Sequence, residues 1–351
     1  MSARDRSLRL LVLAVLACST GCGISYLAHV SYGQSRILVG RLPVEHYLES
    51  DEASPRLKEK LRLVQDVRKF AGEIGLTVTD SYTTVFDTDG EAVCWNVSAC
   101  ADDSFRPHTW SFPIVGKVPY KGFFERSLAL EEAKELKAAH MDVLLYAPTA
   151  YSTLGWFSDP LFTPMLRGQD SELASTIIHE LTHATVYIAS EADFNENLAE
   201  FVGNQGAIEY FLSRDGPASP RATMAREDAE DDVVFNREIS DLKQRLAKVY
   251  DGTSSREDKL AEKARVIAGW KEHYRATVKP GFKQGGYDRL VESERFNNAV
   301  ILALVRYHGE NDMLEAAHRK LGSSLRATVA KLKEISREKN PREALEAFAK
   351  N

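Results

Sequence analysis

The 351-residue sequence predicts an α+β fold that is mostly helical, with a small mixed β-sheet in its N-terminal half and a helical C-terminal half. Two patterns point there. Short apolar and β-branched runs broken by turn residues cluster between Tyr82 and Tyr146, whereas from Ser171 onward apolar residues recur at helical spacing almost to the C-terminus. Composition is the third observation: 44% hydrophobic and 27% charged residues belong to a globular chain and exclude wholesale disorder, a collagen-like repeat or a coiled-coil rod. The 45 Lys and Arg against 51 Asp and Glu leave a net charge of −6, which argues against nucleic acid as a partner. No interior stretch reaches the roughly 20 apolar residues of a membrane span.

Residues 1–21 read as a signal peptide: Arg4, Arg6 and Arg9 precede an apolar run from Leu10 to Ala17 that is too short to span a bilayer. Small residues then lead into Cys22, an arrangement that resembles a bacterial lipoprotein processing site, with Ser19 where Leu is usual. Cys18 is the rival site, and a plain secretory leader is the alternative. Gly23, rather than Asp, follows Cys22. The expected address is therefore the bacterial cell envelope, lipid-anchored to the outer membrane and facing the periplasm. Removing the leader takes away three Arg and one Asp, so the −6 of the whole chain becomes −8 for the mature body. In an exported chain Cys94 and Cys100 either pair as a disulfide or stay as two buried thiols.

Along the body, Arg56–Ile74 carries Leu57, Leu61, Val64, Val67, Phe70 and Ile74 at helical spacing and is closed by Gly75. Tyr82–Phe86 and Ala92–Val97, separated by Asp89-Gly90, read as a β-hairpin. Asp87–Gly90 lacks the further acidic ligands of a calcium loop, so a turn is the better reading. Thr109–Phe112, Val115–Phe124 and Asp142–Tyr146 are strand candidates, with an amphipathic helix over Ser127–His140. Two long helices, Glu230–Tyr250 and Arg256–Thr277, flank Asp251–Ser254, and Ser254 with Glu257 is a capping-box signature. Helices at Asn297–Tyr307 and Met313–Leu321 and a charged C-terminal helix complete the chain.

The chemistry concentrates in His179-Glu180-Leu181-Thr182-His183. On a helix, His179 and His183 share one face and can point at one ion, and Glu180 projects beside them without ligating it. Apolar Ile177, Ile178 and Leu181 would bury the other sides of that helix. A catalytic zinc needs three protein ligands and one open position. Glu196 is the natural third ligand, and Asn195 could cap the helix that carries it. Ala199 and Gly203 are small enough for close helix packing. Glu200 either orients a ligand histidine or is a surface charge.

His179-Glu180-x-x-His183 followed by Asn195-Glu196-x-x-Ala199 resembles the gluzincin pattern of zinc peptidases. More closely, the chain is similar to a bacterial aminopeptidase family, many of whose members carry lipoprotein-type N-termini. The matching blocks are Cys22 with Tyr26, Cys94–Val97, Trp110–Pro113, Pro119–Phe124, Ala150–Pro160, the two ligand segments, and Phe296–Ala299 with Tyr307. The resemblance implies a zincin-like metallopeptidase with one zinc ion per chain and a peptide substrate. It supports zinc peptidase better than exopeptidase, and a metallo-endopeptidase of the same fold is the alternative. Only 12 residues separate His183 from Glu196, shorter than usual, so Asp193 is a rival third ligand. The expected organisation is a leader (1–21), an anchor segment with a strand-containing part (22–165), and a helical zinc-binding part (166–351), the last two forming one catalytic unit around a cleft.

Zinc would lower the pKa of its water, and Glu180 would carry the proton to the leaving amine. Tyr307, His308 and Tyr151 are candidates for stabilising the oxyanion, and Ala150–Phe157 for the cleft wall. Glu200 or Asp159 could bind a free α-amine. Two other classes compete. Glu180-x-x-His183 with Glu315-x-x-His318 matches the ligand pairs of a di-iron bundle, at the cost of leaving His179 without a role. A non-catalytic lipoprotein serving as an interaction module would have no use for Glu180. The oligomeric state is not legible.

Overall fold

In this computed structural model, residues 22–112, 116–148, 150, 153, 157–189, 191–308 and 311–350 are described. The expected leader and Tyr151 lie outside them. The fold is α+β and mostly helical, with small sheets of two or three strands confined to the N-terminal half.

Helix α1 (Cys22–Gly40) leads into β1 (Leu42–Pro43), α2 (Val44–Glu49) and α3 (Pro55–Glu73). Ser54 starts α3 by accepting a hydrogen bond from Leu57 N, with Pro55 at the first helical position, a cap worth about 1 kcal/mol. The strands are β2 (Thr84–Phe86), β3 (Trp95–Ala101), β4 (Trp110–Phe112), β5 (Gly116–Val118) and β6 (Tyr120–Phe123), then β7 (Met141–Tyr146) after helix α4 (Arg126–Ala138), and β8 (Leu161–Phe162). They form three sheets: β1-β2-β8, in which β2 and β8 run parallel; the antiparallel β6-β3-β7; and the β4-β5 pair. The expected hairpin between Tyr82–Phe86 and Ala92–Val97 does not form. The turn is present, with Glu91 N bonded to Thr88 O at 2.9 Å, but both edges of β2 are taken by β1 and β8 and both edges of β3 by β6 and β7.

The extent of β3 also decides the cysteines. The strand runs on to Ala101, so Cys94, one residue before it, and Cys100 within it lie about 20 Å apart along extended chain, against the roughly 4.4–6.8 Å a disulfide spans. Both are free, buried thiols, and burial pushes both up to about 12.

The second half consists of α5 (Asp170–Thr185), α6 (Ala192–Asp215), α7 (Pro220–Tyr250), α8 (Arg256–His273) continuing into a π turn, α9 (Asp288–Val291), α10 (Asn298–His308), α11 (Asn311–Lys320), α12 (Leu325–Ile335) and α13 (Pro341–Lys350). Helix α7 starts ten residues before the expected Glu230, because Ser219-Pro220 is a second cap-and-proline start, with Ala222 N donating to Ser219 Oγ. Ser255, not Ser254, caps α8. The expected C-terminal helix is two, divided where Pro341 begins α13.

Among the described residues the buried apolar side chains form three cores. The largest packs α3 (Leu61, Val64, Val67), β2 and β8 (Val85, Leu161, Phe162), α5 and α6 against α11–α13 (Leu314, Val329, Leu345). A second joins α7 and α8 to α10 through Phe235, Leu242, Trp270 and Ile301, and a third packs α4 on the β6-β3-β7 sheet. Lys60 of α3, 6% exposed, ties this frame to the start of α5 through Asp170 (2.6 Å) and Gly168 O (2.7 Å). Among the described residues no helix is long and apolar enough to cross a membrane.

Candidate metal centre

Helix α5 presents two unlike faces. Leu173, Ile177, Ile178 and Leu181 are buried at 2% exposure or less in the largest core, while His179, Glu180 and His183 project toward α6 and a cleft. Helix α6 lies unusually close. A Cβ on Gly203 would sit 2.8 Å from Ser175 O and 3.2 Å from His179 Cβ, and one on Gly206 would sit 2.8 Å from Ile178 Cδ1. Glycine at these two positions lets α6 bring its carboxylates within reach of the histidines.

The short connection between the helices is held by Asn195. Helix α5 ends at Thr185 and α6 begins at Ala192, so Asn195 does not cap its helix. Its side chain is 3% exposed and bridges Ile188 in both directions, accepting from Ile188 N at 2.9 Å and donating to Ile188 O at 2.8 Å.

The ligand atoms then form a compact triangle. His179 Nε2 and His183 Nε2 are 3.1 Å apart, and Glu196 Oε2 lies 3.4 Å from the first and 3.6 Å from the second. A tetrahedral ion holding nitrogen and oxygen at about 2.0–2.1 Å requires ligand atoms about 3.3 Å apart, so this spacing fits zinc. Two nitrogens and one carboxylate oxygen are also a donor set of catalytic zinc sites. Asp193 is exposed and outside the triangle. Among the described residues His179, His183 and Glu196 are the one group that could hold a metal, and Glu315 and His318 do not join it. Glu315 pairs with Arg319 at 3.1 Å, and His318 Nδ1 bonds Thr328 Oγ1 at 2.8 Å.

Around the triangle, Glu200 Oε2 lies 3.4 Å from His179 Nδ1. Its other oxygen accepts from Asn204 Nδ2 at 3.1 Å, and Asn204 Oδ1 accepts from Ser175 Oγ at 2.7 Å. Sequence reasoning missed Asn204 and Ser175, although Asn204 stands one helical turn beyond Glu200. Burial works against a charge on His179, but Glu196 and Glu200 outweigh it and carry the imidazole up to about 10. Burial likewise opposes ionisation of Glu196, and the two histidines overcome it, holding the carboxyl well below its usual range.

Glu180 Oε2 and His183 Nδ1 are buried and have no hydrogen-bond partner among the described residues. Glu180 lines a cleft of about 720 Å³ together with residues 146–148 at the end of β7, residues of α5, α6 and α7, and the loop 285–287. The described lining holds five carboxylates (Glu172, Glu180, Glu200, Asp228 and Asp232) and neither Lys nor Arg. Asp159 is not among them: it is 2% exposed and accepts from Thr153 N and Oγ1, both at 2.8 Å. Tyr82 is a residue the sequence did not flag. It is buried, adopts a left-handed φ of 64°, and is raised well above its usual value by burial and then by the nearby Glu180 charge. The side chains of Tyr307 and His308 lie outside the described residues.

Fold and site together define a mostly helical α+β protein with a histidine–carboxylate cluster whose His179 lines an acidic cleft. A family model named Aminopep, described as "Putative aminopeptidase", matches residues 25–346, and the chain belongs to this family. Membership supports a peptidase role. Neither the curated proteins nor the solved structures contain a match to the chain.

Proposed function

We propose that the protein is a zinc-dependent aminopeptidase. The observation that carries this reading is the triangle of His179, His183 and Glu196, whose 3.1, 3.4 and 3.6 Å edges suit zinc, with Glu180 next to His179 where both line the cleft. Bound zinc supplies a Lewis acid that polarises the scissile carbonyl and eases deprotonation of water. With zinc bound, Glu180 Oε2 would take the proton and pass it to the leaving amine; it is buried with no hydrogen-bond partner among the described residues. Glu200 fixes the ring of His179 through Nδ1, with Asn204 and Ser175 behind it. The carboxylate-lined cleft favours a substrate end that is positively charged, which a free peptide N-terminus is.

The anchoring belongs to the same proposal and rests on the leader: Cys22 is lipidated, and the body works at the envelope surface facing the periplasm, at the outer membrane. The test of the activity is a peptide-library digest by zinc-loaded protein, with free and acetylated N-termini compared. Cleavage restricted to free N-termini is expected. Equal cleavage of both would make the enzyme an endopeptidase, and no cleavage with zinc bound would favour a binding module.

A further inference from the structure

Part of the cleft lining comes from a segment distant in sequence from α5, held in place by an extensive set of hydrogen bonds. The carboxylate of Asp231, 3% exposed on α7, accepts three consecutive backbone N–H groups: Lys283 N at 2.9 Å, Gln284 N at 2.8 Å and Gly285 N at 2.9 Å. Gln284 Nε2 adds a bond to Glu227 at 2.6 Å, and Lys283 Nζ pairs with Glu230. One helix face therefore moors the whole loop. Beyond the mooring the chain takes left-handed φ values of 75° at Gly285 and 107° at Gly286, which turn it along the cleft. Tyr287 follows. Its ring stacks on Phe235 at 4.0 Å and 14°, and its hydroxyl donates to Asp232 Oδ1 at 2.6 Å.

A buried carboxylate with three backbone partners fixes a loop far more firmly than its glycines alone would allow, and the fixed element is the aromatic side chain that lines the cleft. The lining residues Ala207, Ala225 and Ala229 of α6 and α7 are small, so the Tyr287 ring is the bulkiest side chain that α6, α7 and the loop 285–287 bring to the cleft. We propose that Tyr287 is a specificity-determining residue, setting the size of the substrate side chain admitted beside the scissile bond, and that Asp231 is the positioning residue that holds it there. The inference rests on the peptidase reading and deepens it by naming the subsite. The preference expected from that role is for small and medium apolar side chains over large aromatic ones.

The experiment measures both binding and hydrolysis of peptides that differ only in the N-terminal residue, Ala, Leu or Trp, by the zinc-loaded full-length protein and its variants. Tyr287→Ala should raise the Trp-to-Ala preference about tenfold, the range one pocket contact commands. Tyr287→Phe keeps the ring and should retain the wild-type ratio. Asp231→Asn should move the ratio in the same direction by a smaller factor, with KM changing more than kcat. Zinc content is read in every sample. An unchanged ratio in Tyr287→Ala, with zinc bound, overturns the inference and leaves the peptidase reading standing. Binding preferences that shift without hydrolysis by any variant or the wild type uphold the subsite and overturn the peptidase. No binding of any peptide overturns both.

Discussion

Glu196 and Glu200 grip the two nitrogens of one ring: Glu196 Oε2 lies 3.4 Å from His179 Nε2, and Glu200 Oε2 lies 3.4 Å from His179 Nδ1. The carboxylates stand one helical turn apart on α6, so a single helix supplies both the third member of the ligand triangle and the group that orients the first.

That division of labour predicts the effect of Glu200→Ala. The ligand triangle is untouched, but His179 loses the partner that sets its ring, and zinc affinity should fall about 10–100-fold with secondary structure retained. Competition with a chromophoric chelator, alongside circular dichroism, measures both. Unaltered zinc affinity would make Glu200 a surface charge.

Gly203→Ala should damage the site through packing. The added Cβ meets Ser175 O, a backbone atom that cannot swing aside, at 2.8 Å, so α6 must move away from α5. A loss of about 1–3 kcal/mol in urea unfolding of the metal-free protein is expected, accompanied by weaker zinc binding because the carboxylates retreat with the helix. A variant as stable as the wild type would show that the helices have room to spare.

Asp232 gives the fold a pH dependence. Burial raises its carboxyl; the Tyr287 hydroxyl opposes this, and the charges of Glu200, Asp228 and Asp231 add to it, taking it from 3.8 to about 7. The native state therefore holds a proton that the unfolded chain releases, so this contribution is complete below pH 3.8 and is lost as pH rises to about 7. Its ceiling is roughly 4 kcal/mol at about 1.4 kcal/mol per pH unit. Urea midpoints of the metal-free protein should fall between pH 5 and pH 8, and Asp232→Asn should flatten that fall. Parallel pH profiles for the two proteins would remove Asp232 from the account.

That His179, His183 and Glu196 come together, with Glu180 next to His179, is legible in the sequence because they sit on two consecutive helices, where an i, i+4 spacing translates directly into a shared face. The helical second half is legible for the same reason. Strand pairing is less so. Nothing local in Thr84–Phe86 says that its partners are Leu42–Pro43 and Leu161–Phe162, and β3 outruns its apolar alternation, which is why Cys94 and Cys100 look close and are not. Asn195 carries the residue type of a helix cap and is used instead to bridge Ile188, because α6 starts three residues earlier. The Asp231–Tyr287 wall is invisible to any local reading, since it joins the middle of α7 to a loop beyond α8.

The most direct test of zinc catalysis by this site is zinc content and peptide hydrolysis in the wild type and in Glu180→Gln, measured on the same preparations. Both proteins should bind one zinc per chain, because Glu180 is not a ligand. The variant should lose about 10²–10⁴-fold in hydrolysis, the contribution of a positioned general base. Zinc bound by both with equal, measurable hydrolysis would contradict the account.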